Sequence, residues 1–302
     1  MVQAPKVSVV MPTYNCDAYI GEAIESILNQ TMTDLELVIV DNGSKDDTVK
    51  IAKTYAELDN RIGIYIHPHG GVSGALNFGI AQSTSEYIAR MDGDDISDLR
   101  RLEIQIDFME RNRDVIICGT DMTSFKGSWK RRNFYPTTDR DCQIFLLLRS
   151  CFSHPTVIIR RSAFPDHQFY KPEYNFAEDY KAWCEISHRG RFHNIGEPLY
   201  MYRLHDNQVT REKRARQISL HLAISEAHHL RLGVDFDKAA LACIIDAEKV
   251  MSVTEYGQVV KFFARLLRLN RATNIRFIRT FFGQLYLCAK RTNWAKSHAA
   301  PL

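Results

Sequence analysis

The chain has 302 residues, 45% of them hydrophobic and 25% charged, so it can bury a sizeable core as one large α/β domain with an appendage or as two smaller domains. No apolar run is long enough to span a bilayer, Met1–Val10 lacks the pattern of a signal peptide, and seven cysteines without a CxxC pair suit a reducing cytosol better than a disulfide framework or zinc knuckle. Net charge is +3 but uneven: from Gly257 to Leu302 there are nine Lys/Arg and no Asp/Glu, a basic tail on a mildly acidic body, which points to an anionic partner for the tail.

Lys6–Met11 (KVSVVM) is a β-branched run that stops at Pro12, the pattern of a buried parallel strand. Asp17–Gln30 follows as a helix, with Ile20, Ile24, Ile27 and Leu28 on one face and Asp17 able to cap its start. Leu35–Val40 is a second strand, ending at Asp41-Asn42-Gly43-Ser44, and Asp46–Leu58 the next helix. Ile62–Ile66 is a third strand, Ser73–Ser83 a helix, and Glu86–Met91 a fourth strand that runs into Asp92-Gly93-Asp94-Asp95. Four alternations of strand and helix predict a parallel sheet wrapped by helices. The polar clusters PTYN, DNGS and DGDD each follow a strand end, where ligands bind in such sheets, and are expected in one crevice.

Beyond Asp95 the periodicity predicts a helix over Leu102–Arg111, a strand over Val115–Cys118 and a loop or short hairpin over Trp129–Pro136. A helix over Asp139–Leu148, a strand over Thr156–Arg160, a helix over Asp179–Ser187 and a strand over Pro198–Leu204 come next, with only helices thereafter. The expected division is into 1–115, 116–205 and a basic helical region over 206–302.

Carboxylates crowded at a strand end repel one another unless a cation neutralises them, and hard oxygen ligands suit Mg²⁺ or Mn²⁺. Asp92-x-Asp94-Asp95 reads either as such a site or as a solvated turn. Asp41 reads as a partner for a base or ribose donor, or as an Asx turn capping the next helix. Pro12, Thr13, Tyr14 and Asn15 offer an aromatic ring and small polar groups to a flat base, or simply lead into a helix.

Taken in order, VVMPTYN, VDNGSKDDT, YIARMDGDD and AEDYKAW resemble family 2 glycosyltransferases over Val7 to about His205. The resemblance implies a GT-A nucleotide-diphospho-sugar transferase fold: α/β, Rossmann-like, with a mostly parallel central sheet flanked by helices, here with a C-terminal helical extension. It places Pro12, Thr13, Tyr14 and Asn15 around the nucleobase, Asp41 on the base ring N–H, which favours a UDP-sugar, and Asn42, Asn77, Arg90 and Gly93 along the cleft. Asn42 stands where many members carry Asp. Asp92 faces the ribose or the metal, Asp94 ligates Mn²⁺ or Mg²⁺, and Asp179 is the general base, with Glu178 its rival. His154, Arg203, His205 and Trp183 are implied on the acceptor or diphosphate side, His205 also as a metal ligand; Trp183 equally suits a core position. The implied reaction is inverting transfer of a hexose or N-acetylhexosamine to a saccharide or lipid-linked saccharide in cell-surface polysaccharide or lipopolysaccharide assembly, on the cytoplasmic face of the inner membrane.

The basic tail repeats Val259, Val260, Phe262, Phe263, Leu266 and Leu267 at helical spacing with Lys261, Arg265 and Arg268 between them, and Ile275, Ile278, Phe281, Phe282 and Leu285 continue the pattern. Either the helix docks on an anionic membrane surface or it packs on the rest of the protein with its cations in water. No nucleic-acid module is recognisable, so no nucleic acid partner is expected. A dehydrogenase is disfavoured because Gly70–Gly74 does not match GxGxxG, and a nucleotidyltransferase because PTYN replaces a Gly-rich loop after the first strand. A non-catalytic, membrane-associated sugar-nucleotide scaffold predicts loss of the carboxylates, yet Asp41, Asp92, Asp94 and Asp179 are all present.

Overall fold

The computed structural model describes residues 4–68, 70–164, 169–205, 211–246, 249–269, 285–286, 288–290 and 292. The chain forms two compact units, one of Met1–Phe134 with Phe152–Gln208, the other of Tyr135–Cys151 with Val209–Leu302.

The first unit is built on a nine-stranded sheet. Strands β1 (Val7–Thr13), β2 (Leu35–Asp41), β3 (Ile62–Ile66) and β4 (Tyr87–Arg90) are parallel in the order β3-β2-β1-β4, with helices α1 (Ile20–Leu28), α2 (Thr48–Leu58) and α3 (Gly71–Gln82) between them in the chain. β1 is central and almost wholly buried, which is what its unbroken apolar run requires. α1 buries Ile20, Ala23, Ile24 and Ile27. It starts later than expected, at Ile20, and Asp17 does not cap it; the Asp17 N–H instead donates to Asp46 Oδ2 at 3.1 Å.

Beyond β4 the sheet continues through β8 (Ile158–Arg160), antiparallel to β4, then β6 (Val115–Lys126), β9 (Arg191–Arg203) and the short β5 (Ile96–Ser97), with α4 (Arg101–Arg111) preceding β6 in the chain. β7 (Trp129–Asn133) pairs antiparallel with the end of β6, so the segment expected as a loop or hairpin is a hairpin. β6 and β9 both run longer than the sequence pattern predicts. They pair in parallel over most of their lengths, with register shifts near Thr120–Thr123 that absorb the Gly196-Glu197-Pro198 irregularity. The continuous ladder β4-β8-β6-β9 also explains why the compact units do not divide near residue 115: one sheet stitches both predicted segments together.

The second unit contains α5 (Asp139–Phe145), α7 (Arg211–Leu232), α8 (Lys238–Ile245) and α9 (Val253–Leu269); α6 (Glu178–Ile186) belongs to the first. On α9, Val259, Phe262, Phe263 and Leu266 are buried, with the Phe262 ring beside His229 of α7, while Lys261, Arg265 and Arg268 are exposed. The apolar face of α9 is therefore spent within its own unit. The repeat from Ile275 to Phe282 lies outside the described residues. No described helix is long and apolar enough to cross a membrane.

A tight fit against β1 and β2 is at Gly79 of α3, where an added Cβ would lie 2.5 Å from Val10 Cγ1 and 3.0 Å from Val40 Cγ2. Backbone and branched side chains cannot both yield there, so Gly79→Ala is expected to destabilise the protein by about 1–3 kcal/mol, read from urea unfolding.

Candidate active site

Three strand-end loops converge. Thr13 at the end of β1 reaches Asp41 at the end of β2, Oγ1 to Oδ1 at 3.5 Å. Thr13 also faces the loop after β4: a Cβ on Gly93 would lie 2.8 Å from Thr13 Cγ2 and 3.1 Å from Cys16 Sγ. Only glycine permits this approach. Pro12 belongs to the same strand end, opposite Val40 in the β1–β2 ladder.

The first two loops are tied by Asn15, which adopts φ 48°. Its backbone N–H donates to Ser44 Oγ at 2.9 Å and its Oδ1 accepts from the Lys45 N–H at 2.8 Å. Asn tolerates this left-handed geometry better than most residues. Asp41, 2% exposed, closes an Asx turn: Oδ2 accepts the Gly43 and Ser44 N–H groups at 2.9 and 3.0 Å, and Oδ1 the Ser44 hydroxyl. Asn42 lies alongside, its N–H on the Thr13 carbonyl at 2.9 Å. Tyr14 leaves its ring 59% exposed at the mouth.

After β4, oxygens of Asp92, Asp94 and Asp95 lie within 4.8 Å of one another. Asp95, part of the predicted acidic cluster but assigned no role of its own, is fully buried and anchors the triad to β9 by accepting the Arg203 N–H at 2.7 Å. Burial, then the charges of Asp92 and Asp94, push its carboxyl well above the usual range. Burial also raises Asp92, against the pull of the adjacent Arg90 guanidinium, with which it forms an ion pair. This donor set suits a divalent cation: three hard oxygens, short of charge compensation, open on the crevice side where Asp94 is part-exposed. His205 Nε2 stands 2.9 Å from Asp94 Oδ2, its ring stacked on Tyr19. Arg203 directs Nε to the Asp94 carbonyl at 2.8 Å and a terminal nitrogen to Glu22.

The other wall carries Glu178 and Asp179 at the start of α6. Glu178 is buried and accepts the Phe176 N–H at 2.7 Å, with Phe176 held at φ 84°. Asp179 is half-buried. As expected of neighbours on a helix, the two acids have different surroundings. Burial, then the charge of Asp179, raises the Glu178 carboxyl to about 7. His154 lies between them and Tyr170, with Nδ1 3.8 Å from Glu178 and Nε2 2.9 Å from the Tyr170 hydroxyl. Burial, then the nearby Arg90, pushes His154 well below its ordinary value, so it is neutral. Arg90 acts on Asp92, His154, Tyr170 and Glu178 alike, placing it electrostatically between the triad and this wall.

Two expected cleft residues have other partners. Asn77 pairs reciprocally with the Tyr170 backbone, Nδ2 to O at 2.6 Å and Oδ1 from N at 2.8 Å. Trp183 is 0% exposed, packed among Phe152, His154, Phe169 and Tyr170, so of its two sequence readings the core one describes its place. Tyr170 was missed because its site role depends on a loop with no periodic pattern. Asp95 stands in the predicted acidic cluster, but its anchoring depends on the Arg203 N–H, 108 positions away.

The description "Glycosyl transferase family 2" matches residues 8–167, just over half of the chain. The chain is a family 2 glycosyltransferase. It is 35% identical over 210 residues to the O-antigen biosynthesis glycosyltransferase WbnJ of Escherichia coli, covering 67% of this chain and 81% of that protein. A glycosyltransferase of Haemophilus influenzae is 33% identical over 226 residues, 70% and 69% of the two chains. Among solved structures, Staphylococcus aureus TarS 1-349 in complex with UDP-GlcNAc superposes with a TM-score of 0.63 at 16% identity, covering 98% of this chain and 93% of that one. The mannosyltransferase PcManGT of Pyrobaculum calidifontis, in complex with GDP-Man and Mn²⁺, gives 0.57 at 17% identity, 98% and 89%. The fold of this transferase is GT-A.

The raised Glu178 carboxyl has a measurable signature. Between 4.5 and about 7 the folded protein holds a proton that the unfolded chain releases, so stability falls as pH rises through that window. Glu178→Gln, which cannot titrate, is expected to shrink the stability difference between pH 5 and pH 8 by on the order of 2–3 kcal/mol, measured by urea unfolding at both values.

Proposed function

We propose that the protein transfers a hexose or N-acetylhexosamine from a nucleotide-sugar, a UDP-sugar by preference, to a saccharide or lipid-linked saccharide with inversion. The observation that carries this reading is the acidic triad at the end of β4, joined through Thr13 to Asp41 and through Arg90 to the Glu178–Asp179 wall. The named contents of related proteins agree: UDP-GlcNAc in TarS, GDP-Man and Mn²⁺ in PcManGT, and O-antigen biosynthesis for WbnJ. Cell-surface polysaccharide or lipopolysaccharide assembly is the corresponding role.

In this reading Tyr14 covers the base from the mouth, and Asp41 holds the DNGS turn against it. Asp94 and Asp92, with His205 adjacent, would hold Mn²⁺ or Mg²⁺, which would supply Lewis acidity to the leaving diphosphate. Asp179, the more open of the acidic pair, accepts the acceptor hydroxyl proton as that oxygen bonds to the anomeric carbon and the bond to diphosphate breaks. Neutral His154 and Tyr170 fix the wall behind it. Arg90 offsets part of the charge on Asp92, and a cation would relieve the burial and mutual repulsion that raise the Asp92 and Asp95 carboxyls.

Asp179→Asn is expected to lower transfer about 10²–10⁴-fold while donor affinity by calorimetry changes little; a comparable loss of donor binding would move the base role elsewhere. Chelator, or Asp94→Ala, is expected to abolish both Mn²⁺-dependent donor hydrolysis and transfer. Turnover that ignores metal across UDP-, GDP- and dTDP-sugars would instead favour a binding scaffold.

Association with the cytoplasmic membrane surface, if it runs through α9, rests chiefly on Lys261, Arg265 and Arg268, because Val259, Phe262, Phe263 and Leu266 are already packed. Binding to phosphatidylglycerol vesicles should then fall with salt and disappear in the triple Glu substitution of these three residues.

A further inference from the structure

The second unit holds a charged cavity of its own, built where α7 hands the chain on to α8. The helix ends at Gly233, whose φ of 64° is the left-handed geometry that such an ending requires. The Gly233 N–H donates to the Leu230 carbonyl at 3.2 Å and the Val234 N–H to the His229 carbonyl at 3.0 Å, so the backbone of the turn is satisfied. The His229 ring stands 5.3 Å from Phe236 and 6.1 Å from Phe262, centroid to centroid, which holds this turn against α9.

Between turn and helix lies an open cavity of about 320 Å³, with Gly233, Val234 and Asp235 on one side and Phe262, Arg265, Leu266 and Arg268 of α9 on the other. That volume is at the low end of the range of about 300–1,000 Å³ usual for small-ligand sites. Phe262 and Leu266 are buried and form an apolar floor, while Arg265, Arg268 and Asp235 are exposed at the rim. Arg265 and Arg268, spaced i to i+3, share a face of α9 and line the same space, so both forks serve one anion. Among the described residues neither arginine nor Asp235 forms an ion pair. Opposite charges thus line one cavity from two sides without meeting. A ligand that satisfies all of them carries an anion and a cation joined by a short apolar link. Guanidinium forks match the oxygens of a phosphate. A purely anionic ligand would leave Asp235 facing like charge.

We infer that this cavity binds a phosphoethanolamine group, with its phosphate between Arg265 and Arg268, its ammonium on Asp235 and the methylenes between them over Phe262 and Leu266. The site lies apart from the transfer reaction and shares no residue with it. Phosphatidylethanolamine presents the group at a membrane surface, and glycerophosphoethanolamine carries the same phosphodiester in solution.

The test titrates the full chain with glycerophosphoethanolamine and with glycerophosphoglycerol, which has the phosphodiester but no amine. Parallel arms use vesicles of equal parts phosphatidylcholine and either phosphatidylethanolamine or phosphatidylglycerol. Glycerophosphoethanolamine should bind at least about tenfold more tightly than glycerophosphoglycerol, and Asp235→Asn should erase that preference. Arg265→Lys/Arg268→Lys keeps the charge but loses the forks, and should weaken binding at least about tenfold with unchanged circular dichroism. Lys261→Gln, outside the cavity, should leave the soluble ester's affinity unchanged. Vesicle binding with the same dependence on Asp235 and the two arginines supports the lipid as the source; binding of the soluble ester alone supports the free one. Equal affinity for the two esters, or a double-lysine variant that binds like the unaltered protein, overturns the inference. So does binding that follows phosphatidylglycerol and Lys261, which is charge attraction alone.

Discussion

Gathering Asp92, Asp94 and Asp95 at one strand end is costly, and Arg90 is the charge that makes it tolerable. Its guanidinium is buried beside Asp92, and burial alone would disfavour its charge, yet the surrounding acids and tyrosines hold it above its ordinary value. Removing one partner from such a pair leaves the other stranded in low dielectric. The pairing also divides labour within the triad. Asp92 is compensated by protein, and Asp95 is pinned to the β9 backbone. Asp94 keeps an oxygen toward the open side, next to His205.

Support for Arg90 comes from a second buried arginine. Arg101, at the start of α4, donates to the Arg90 carbonyl at 3.1 Å and to the Pro155 carbonyl at 2.9 Å, and lies over the Tyr200 ring. Burial lowers its guanidinium to about 10. The Tyr200 hydroxyl in turn accepts the Asp92 N–H at 3.1 Å. Two arginines and one tyrosine thus bind the loop after β4 to the segment that presents His154. Burial, reinforced by the Arg90 charge, is why His154 stays neutral.

Much of this was legible because it is local. Four strand–helix alternations, written in β-branched runs and turn clusters, gave the order of β1 to β4 and the expectation of a shared crevice. Thr13, touching both Asp41 and the Gly93 loop, is that expectation realised. What escaped depends on pairing between distant segments. The lengths of β6 and β9 follow from each other and not from their own alternation. The division into units follows from the sheet's continuity, and α5 joins helices from far along the chain. Asn77 was readable as a cleft residue by resemblance, but the carbonyl and amide it serves belong to Tyr170, 93 positions away. Trp183 and the amphipathic α9 show the same limit: an apolar face says that something covers it, not what.

The Asn77–Tyr170 pairing carries a mechanical consequence. Ser73, on the same helix, donates its hydroxyl to Asn175 Oδ1 at 2.6 Å, so α3 grips the stretch leading to α6 at two points about a turn apart. Such a double attachment resists both sliding and twisting. Any breathing of the wall that carries Glu178 and Asp179 must carry α3 along as one block, or sever both links together, and the bending must be taken up elsewhere in the chain.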